Sequence, residues 1–313
     1  MSTIAVDAMG GDSAPEEVVK GAILAKKEGV DVILSGDENL IKSYLGNEKI
    51  PVINYPQVIS MDDDPAKAIR SNKDSSIIGA LNLVKEKKAD AVFSAGSTGA
   101  TLIGAISVLG KIKGVTRPTI ASVLPGKEKE VILVDSGANL EVKPKVLYQF
   151  AIMGSKLSEL LFDIENPRIG LINNGEESSK GRELEKATFK LLKSSQLNFI
   201  GNVEGKDFAN SKVDVFVTDG FTGNVVLKTL QGVAKLQQDL ISKSLKENLF
   251  KPLLVPVKNA ISPVKSMLNP NSTNGSYLLG VNGLVIIGHG SSNSEAIKNA
   301  LLFTSRAVEK RFI

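Results

Sequence analysis

The sequence predicts an α/β protein with three layers, in which helices cover both faces of a mainly parallel sheet. Short apolar runs of strand length alternate along the 313-residue chain with longer segments whose apolar residues recur at helical spacing. Several of these runs end in glycine-rich loops that lead directly into the next helix, as strands of parallel sheets commonly do. We therefore expect residues 1–313 to form a single α/β domain, with a helical excursion around residues 240–276.

The individual elements follow from this pattern. The first strand leads through a glycine loop to a helix with Pro15, Glu16 and Glu17 in its first turn, residues that suit a helix N-terminus. The predicted strands cover residues 4–7, 30–35, 51–55, 89–93, 120–124, 130–134, 168–172, 213–217 and 279–287. The predicted helices begin near residues 13, 100, 180 and 224, and cover residues 38–45, 69–88, 145–161 and 294–311.

Composition limits the classes of protein to which the chain can belong. Apolar residues make up 42% of it and glycine occurs 28 times, which suits a globular α/β protein. Lysine and arginine number 38 against 34 acidic residues and are spread along the chain, so nucleic-acid binding is not indicated. No cysteine occurs, which excludes disulfides and thiolate chemistry. We expect a cytosolic chain, because it lacks an export signal and an apolar run of roughly 20 residues.

Residues 213–228, with the sequence VDVFVTDGFTGNVVLK, are the stretch around which the chain is organised. A buried strand ends there in a loop of small residues, and a helix with Val226, Leu230 and Val233 on one face follows. Such a loop presents backbone N–H groups and the positive end of a helix dipole to an anion. The pattern therefore predicts a phosphate or carboxylate site. The alternative is that its two glycines only make a tight turn.

Comparable glycine loops follow several other predicted strands. Loops after parallel strands share one edge of the sheet, where open α/β sheets bind ligands, so we predict a substrate site at that edge. The predicted substrate-binding residues are Asp7, Gly10, Gly11, Asp12, Gly96, Ser97, Thr98, Gly99, Asn139, Asp219, Gly220, Thr222 and Gly223. The same loops carry Lys180, Asn224 and His289.

Three common sequence fingerprints are missing from these loops. No G-x-G-x-x-G follows the first strand, which disfavours a dinucleotide site, and no G-x-x-x-x-G-K-[ST] nucleotide loop occurs. The serine-hydrolase motif G-x-S-x-G is also missing, and His289 is the single histidine. A covalent acyl-enzyme is therefore disfavoured. Direct attack of one bound substrate on another remains, with the protein supplying position and charge stabilisation.

A set of motifs, in this order, resembles the bacterial phosphate acyltransferase (PlsX) family. The motifs are DAMGGD at 7–12, SAGSTGA at 94–100, RP at 117–118, DSGAN at 135–139, GLINNGEE at 170–177, NVEG at 202–205, TDGFTGNVVLK at 218–228 and HGSS at 289–292. The chain departs from the family at Ser97, usually asparagine, at Asn174, usually apolar, and at Ile287, usually lysine. These departures weaken any indispensable chemical role for positions 97 and 287.

The resemblance implies transfer of a fatty acyl group from acyl-[acyl-carrier protein] to inorganic phosphate, which gives acyl phosphate for phospholipid synthesis. It implies a homodimer of an α/β/α fold similar to isopropylmalate dehydrogenases and phosphotransacetylases. It also implies a cytoplasmic protein that contacts membranes peripherally and passes acyl phosphate to a membrane glycerol-3-phosphate acyltransferase. Neither a cofactor nor a metal is expected.

The chemistry of the residues fits this reaction. Loop amides and Lys180 are predicted to hold phosphate, Asn224 to stabilise an oxyanion, and His289 to act as a base. Lys180 has the alternative of a solvated lysine at a helix start, Asn224 of a helix cap, and His289 of a residue packed in a turn. The aspartates at positions 7, 12 and 219 are expected to orient loops by accepting amide hydrogens.

Residues 244–276 differ in character from the rest of the chain. Apolar residues 253–255 lie between Pro252 and Pro256 and are flanked by lysines, a pattern that suits an anionic membrane surface. A dimer contact or an ordinary helical hairpin is the alternative for this segment.

Three other functions also remain open for the protein as a whole: a phosphotransacetylase-like acyl-CoA transferase, a dehydrogenase on the related fold, and a non-enzymatic carrier-protein or membrane-docking module.

Overall fold

The computed structural model describes residues 2–208, 210, 212–248 and 275–310. Over these residues the strands are β1 (Thr3–Asp7), β2 (Asp31–Gly36), β3 (Val52–Asn54), β4 (Ala91–Ser94), β5 (Thr119–Leu124), β6 (Val131–Val134), β7 (Ile169–Ile172), β8 (Phe199–Val203), β9 (Val215–Val217), β10 (Ser276–Leu279) and β11 (Leu284–Ile287). The α-helices are α1 (Glu16–Lys27), α2 (Glu38–Leu45), α3 (Pro65–Ser71), α4 (Ser76–Lys85), α5 (Thr98–Val108), α6 (Pro144–Phe162), α7 (Glu183–Lys193), α8 (Gly220–Asn248) and α9 (Ser294–Glu309). A short 3-10 helix spans Gly205–Phe208.

The described strands form one sheet in the order β3-β2-β1-β4-β11-β10-β5-β6-β9-β7-β8. The five strands from β3 to β11 are mutually parallel, and so are the four from β6 to β8. Between these two groups, β10 runs antiparallel to both β11 and β5, and β5 runs antiparallel to β6. The predicted mainly parallel sheet is confirmed. The three successive reversals, however, make the two parallel halves run in opposite directions.

This reversal changes where the glycine loops lie. The loops after β1, β4 and β11 share one edge of the sheet, whereas β6, β7 and β9 end at the opposite edge. The sequence predicted a single shared edge, and that prediction is wrong.

Three predicted elements need correction. The apolar run 279–287 is predicted as one strand, but it contains the last residue of β10, the hairpin turn with Gly280 at φ +91°, and β11. Residues 69–88 were predicted as one helix, but α3 ends at Ser71 and α4 begins at Ser76. Strand β8 was missed, because its half-exposed residues at the sheet edge lack a continuous apolar run.

Hydrophobic cores lie on both faces of the sheet. In β1, the side chains of Ile4 and Val6 join the core beneath α1, α6 and α9, while Ala5 joins the core beneath α4 and α5. All three residues are fully buried, which explains why the strand reads as a continuous apolar run. Each large apolar side chain buried in this way contributes roughly 1.5–3 kcal/mol to folding.

Helix α8 is 29 residues long and carries several exposed apolar residues. Its exposed apolar residues are Phe221, Val225, Leu230, Val233, Leu236 and Leu240. The predicted membrane tip at residues 253–255 lies outside the described residues. Among the described helices, none combines the length and the apolar character that a membrane span needs.

Candidate active site

A cleft of about 310 Å³ lies over the antiparallel strands between the two halves of the sheet. Residues of β4, β5, β10 and β11 form its floor. Its polar lining residues are Thr98, Ser122, Ser136, Asn224, Lys228, Gln231, Ser276, His289 and Ser292. The lining, as far as the structure describes it, includes one lysine and no aspartate or glutamate. The cleft therefore offers hydrogen-bond donors and positive charge to a ligand.

One side of the cleft, which we call the first wall, consists of the loops after β1, β4 and β11. These loops pack backbone against backbone, because a Cβ on Gly10 would lie 2.7 Å from the backbone nitrogen of Gly96. The N–H of Asp12 donates a hydrogen bond of 2.8 Å to the carbonyl of Gly290. Thr98 and His289 reach the cleft from this wall, whereas Gly10, Gly11 and Asp12 support it from behind.

Asp7 holds the first wall together from below. Its carboxylate is buried and accepts hydrogen bonds of 2.6 Å from Ser94 Oγ and 3.3 Å from the N–H of Met9. Burial raises the pKa of Asp7, and hydrogen bonds from Ser76 and Ser94 offset part of that rise. Ser97 is also structural in this arrangement, since its Oγ accepts from the N–H of Ala100 and caps α5.

The opposite side, the second wall, consists of residues 135–139 after β6 and the first turns of α8. Its centre is the buried carboxylate of Asp135, which accepts hydrogen bonds of 3.0, 2.8 and 2.8 Å from the N–H groups of residues 137, 138 and 139. Burial raises the pKa of Asp135, although these hydrogen bonds oppose the shift. The resulting turn brings Ser136 and Gly137 into the cleft. Asn139 donates through Nδ2 to Asp135 and to the carbonyl of Pro118, so its side chain stabilises the turn.

The start of α8 is locked onto that turn. Asp219 accepts a 2.7 Å hydrogen bond from the N–H of Thr222, and it pairs with the guanidinium of Arg182. The N–H of Gly220 donates to the carbonyl of Asn139 at 2.8 Å. At Gly223 a Cβ would collide with the carbonyl oxygen of Asp135, so no larger residue fits there without a backbone shift.

One face of α8 carries the polar groups of the second wall. Asn224, Lys228 and Gln231 are spaced four and three residues apart, which places them on the same face of a helix, and all three line the cleft. Lys228 Nζ lies 3.3 Å from Gln231 Oε1. The N-terminal cap of α8 is Asp219. Asn224 therefore does not cap the helix, which was the alternative role predicted for it.

His289 faces this helix from the first wall. The N–H of Ser291 donates to His289 Nδ1 at 3.3 Å, and Ser291 Oγ lies 2.8 Å from the same nitrogen. Because Nδ1 accepts, a neutral ring carries its hydrogen on Nε2. Loss of solvation and the positive charge of Lys228 lower the pKa of His289, while Asp12 acts in the opposite direction. At neutral pH the ring is therefore uncharged and able to donate through Nε2.

Lys180 lies apart from this arrangement. It is exposed in the loop after β7, where its N–H donates to Glu177 and its carbonyl accepts from Asn173 Nδ2 at 3.2 Å. Its side chain is not part of the cleft lining. The same loop ends at Arg182, whose ion pair with Asp219 fixes it to the start of α8.

Several cleft residues escaped the sequence prediction. Lys228 and Gln231 were detectable, because they follow Asn224 at helical spacing, Lys228 as the last residue of the stretch already singled out and Gln231 three residues beyond it. The serines on the floor were not detectable, because their proximity depends on the reversal of strand direction in the sheet.

Among the described residues, no cluster of three or more histidine, aspartate or glutamate residues could hold a metal ion.

Comparisons with known proteins point to one family. Residues 2–313 match a family model described as "Fatty acid synthesis protein". The chain is 45% identical over 319 residues to a phosphate acyltransferase of Pelotomaculum thermopropionicum, covering 99% of this chain and 92% of that protein. It is 43% identical over 320 residues to a phosphate acyltransferase of Halothermothrix orenii, covering 99% and 96%.

Solved structures show the same fold. EutD phosphotransacetylase from Staphylococcus aureus superimposes with a TM-score of 0.64 at 18% identity, over 98% of this chain and 94% of that one. A 4-hydroxythreonine-4-phosphate dehydrogenase from Klebsiella pneumoniae gives a TM-score of 0.57 at 13% identity, over 98% and 99%. The predicted α/β fold class, shared by phosphotransacetylases and dehydrogenases, is confirmed.

Proposed function

The chain belongs to the fatty acid synthesis protein family that includes the phosphate acyltransferases, and on that premise we propose that it transfers a fatty acyl group from acyl-[acyl-carrier protein] to inorganic phosphate. Family membership makes the chain an acyltransferase, which removes the non-enzymatic docking module from the alternatives. The observation that carries the proposal is the cleft itself. Lys228, Asn224 and His289 converge there from opposite walls, with no carboxylate in the described lining.

The proposed reaction is direct attack of phosphate on the thioester. An unprotonated phosphate oxygen bonds to the carbonyl carbon, and the carbonyl oxygen becomes an oxyanion. When the carbon–sulfur bond breaks, the thiolate of the carrier protein leaves and acyl phosphate remains. Lys228 holds the phosphate by charge, and the side-chain N–H of Asn224 stabilises the oxyanion. For His289 we propose donation to the oxyanion through Nε2–H in place of the base role predicted from the sequence, because Nδ1 accepts from Ser291. Each such donor is worth on the order of 3 kcal/mol in the transition state.

Lys180 is proposed as a second cation for the phosphate. The loop that carries it is tied through Arg182 to Asp219, at the start of the helix that presents Asn224. Closure of this loop toward the cleft would add positive charge where the two substrates meet. Gly99 and Thr222 are not among the residues that line the cleft, and the N–H of Thr222 already donates to Asp219.

The cleft of about 310 Å³ lies at the lower end of the volumes of small-molecule sites, which run from about 300 to 1,000 Å³. Such a volume suits phosphate and the thioester, and we propose that the remainder of a fatty acyl chain extends beyond it.

Assembly and membrane contact are further parts of the proposal. The apolar stripe of α8, from Phe221 to Leu240, is proposed as a homodimer contact, since monomeric proteins rarely expose such a contiguous surface. The lysine-flanked residues 253–255 are proposed to attach the protein to anionic membranes. Attachment there would favour hand-off of acyl phosphate to a membrane glycerol-3-phosphate acyltransferase.

The test is to mix the purified protein with acyl-carrier-protein thioester and phosphate, then trap acyl phosphate as the hydroxamate with hydroxylamine. Phosphate-dependent thiol release and hydroxamate formation are expected, without nicotinamide and without added divalent metal. Asn224→Ala serves as the matched variant, because its side chain lies in the cleft and outside the apolar core. Product from acyl-CoA alone would favour the phosphotransacetylase-like alternative, and no product from either donor would refute the proposal.

A further inference from the structure

Three serine hydroxyls form a continuous chain across the floor of the cleft. Ser122 Oγ lies 2.8 Å from Ser136 Oγ and 2.8 Å from Ser276 Oγ. Ser136 Oγ in turn lies 3.2 Å from the carbonyl oxygen of Ile120. Ser122 and Ser136 are buried, whereas Ser276 is half-buried and stands at the cleft end of the chain.

The direction of these hydrogen bonds follows from counting hydrogens. Each hydroxyl has one hydrogen to donate, and the carbonyl of Ile120 can only accept. Ser136 therefore donates to Ile120, Ser122 donates to Ser136, and Ser276 donates to Ser122. All three hydrogens are directed into the protein, so Ser276 presents only oxygen lone pairs to the cleft.

The backbone fixes this chain in place. Ser276 and Ser122 are directly opposite each other in the antiparallel β10–β5 pair, which brings their side chains together on one face. The N–H of Ser136 donates to the carbonyl of Ile120 at 2.9 Å, and the turn around Asp135 holds this residue over β5. The hydroxyl of Ser276 is thus held in a fixed orientation and does not rotate freely as an isolated surface hydroxyl would.

We propose that Ser276 selects hydrogen phosphate over sulfate by accepting a hydrogen bond from the P–OH group. This inference rests on the proposed function, in which inorganic phosphate is the nucleophile bound in this cleft. At neutral pH inorganic phosphate retains at least one hydrogen, whereas sulfate retains none. Sulfate therefore places an oxygen lone pair against the lone pairs of Ser276, and a polar group left without its hydrogen bond weakens binding.

The same contact orients phosphate for attack. With its P–OH group on Ser276 at the floor, the unprotonated oxygens face the groups on α8 and the first wall, including Lys228 and His289. One of those oxygens is the nucleophile, so the acceptor keeps the less reactive protonated oxygen away from the thioester. Ser276 acts as a specificity-determining and positioning residue, and not as a base.

The inference is tested by measuring dissociation constants for phosphate and sulfate by isothermal titration calorimetry. Wild-type protein is expected to prefer phosphate, and Ser276→Ala to lower that preference about tenfold. Ser122→Ala frees the hydrogen of Ser276 to turn into the cleft as a donor, so sulfate binding is expected to tighten about tenfold. Arsenate retains a hydrogen at neutral pH and is expected to follow phosphate in every variant.

Ser292→Ala is the matched control, because Ser292 lines the same cleft but lies outside the hydroxyl chain. It is expected to keep the wild-type ratio of the two dissociation constants. A ratio within about twofold of wild type in Ser276→Ala, or no gain of sulfate affinity in Ser122→Ala, would overturn the inference. Normal formation of acyl phosphate beside such a result would leave the proposed function standing. Failure of the wild-type protein to bind phosphate or form acyl phosphate would instead refute the proposed function.

Discussion

The two walls of the cleft are held in place by different means. In the first wall, glycines allow backbone to pack on backbone, as at Gly10 against Gly96. In the second wall, the buried carboxylates of Asp135 and Asp219 accept hydrogen bonds from backbone N–H groups. Asp7 also supports the first wall from below, and Gly223 packs against the backbone of Asp135 in the second. The difference is therefore one of emphasis, with glycine packing dominating the first wall and carboxylate-to-amide hydrogen bonds the second.

The walls also differ in what they contribute to the cleft. Lys228 and Asn224, which supply the positive charge and the amide donor, both belong to the second wall and share one face of α8. The first wall supplies the hydroxyl of Thr98 and a neutral His289. Added volume is therefore expected to damage either wall, whereas loss of charge is expected to damage the second wall selectively.

The largest effect is expected at Gly223, where a glycine of the second wall packs directly against the backbone of Asp135. Gly223→Ala places a Cβ against the carbonyl of Asp135 and should destabilise the fold by about 3 kcal/mol or more, measured by chemical unfolding. Gly232→Ala on the same helix is the control, since nothing lies within 4 Å of its Cβ position, and it should stabilise by about 0.5–1 kcal/mol. Equal stability of the two variants would show that the second wall is not rigid.

Removing polar groups from the second wall should lower turnover without unfolding the protein. Asn224→Ala should reduce kcat on the order of 100-fold, because a transition-state donor is lost. Lys228→Met should raise KM for phosphate, since its charge acts on the bound anion as well. Steady-state kinetics at varied phosphate concentration separate the two effects. Wild-type kinetics in Lys228→Met would show that phosphate does not bind beside α8.

Lys180 lies outside both walls, in the loop after β7. If that loop closes on the cleft, Lys180→Ala should also lower turnover on the order of 100-fold. Lys186→Ala is a suitable control, because Lys186 is a solvated helix lysine paired with Glu183. Near wild-type turnover in Lys180→Ala would confine the positive charge of the site to Lys228.

A smaller effect is expected on the pKa of His289 in the first wall, which the charge of Lys228 in the second wall lowers. His289 is the single histidine of the chain, so its ring titration can be followed by NMR without assignment. Its pKa should lie below 6.5 in the wild-type protein. Lys228→Met should raise this pKa by removing a positive neighbour, and Asp12→Asn should lower it by removing a negative one. An unchanged pKa in Lys228→Met would show that the walls do not interact through charge, while Asp12→Asn tests the interaction within the first wall.

The smallest effect on turnover is expected outside both walls. Replacing Leu253, Leu254 and Val255 by polar residues should abolish cosedimentation with anionic liposomes, because each large apolar side chain in lipid contributes roughly 1.5–3 kcal/mol. Acyl transfer between soluble substrates should persist. Unchanged liposome binding, or dissociation of a dimer in the variant, would assign the membrane contact to another surface.

The sequence by itself determined the fold class and the first wall. Strands such as β1 and β4 are buried on both faces, so their apolar runs are visible locally. The glycine loops after them are equally local signals, and their sequences carried the resemblance to the family. Asn224 was found for the same reason, since it follows a strand and a loop within one continuous motif.

Only the tertiary structure decided where the two halves meet. The hairpin turn at Gly280 lies inside an apolar run, so the sequence did not reveal that β10 reverses direction between β11 and β5. That reversal places Ser276 opposite Ser122, residues 154 positions apart, and puts Lys228 across the cleft from His289. Strand direction depends on hydrogen bonds between distant segments, whereas local periodicity reports only which residues are buried.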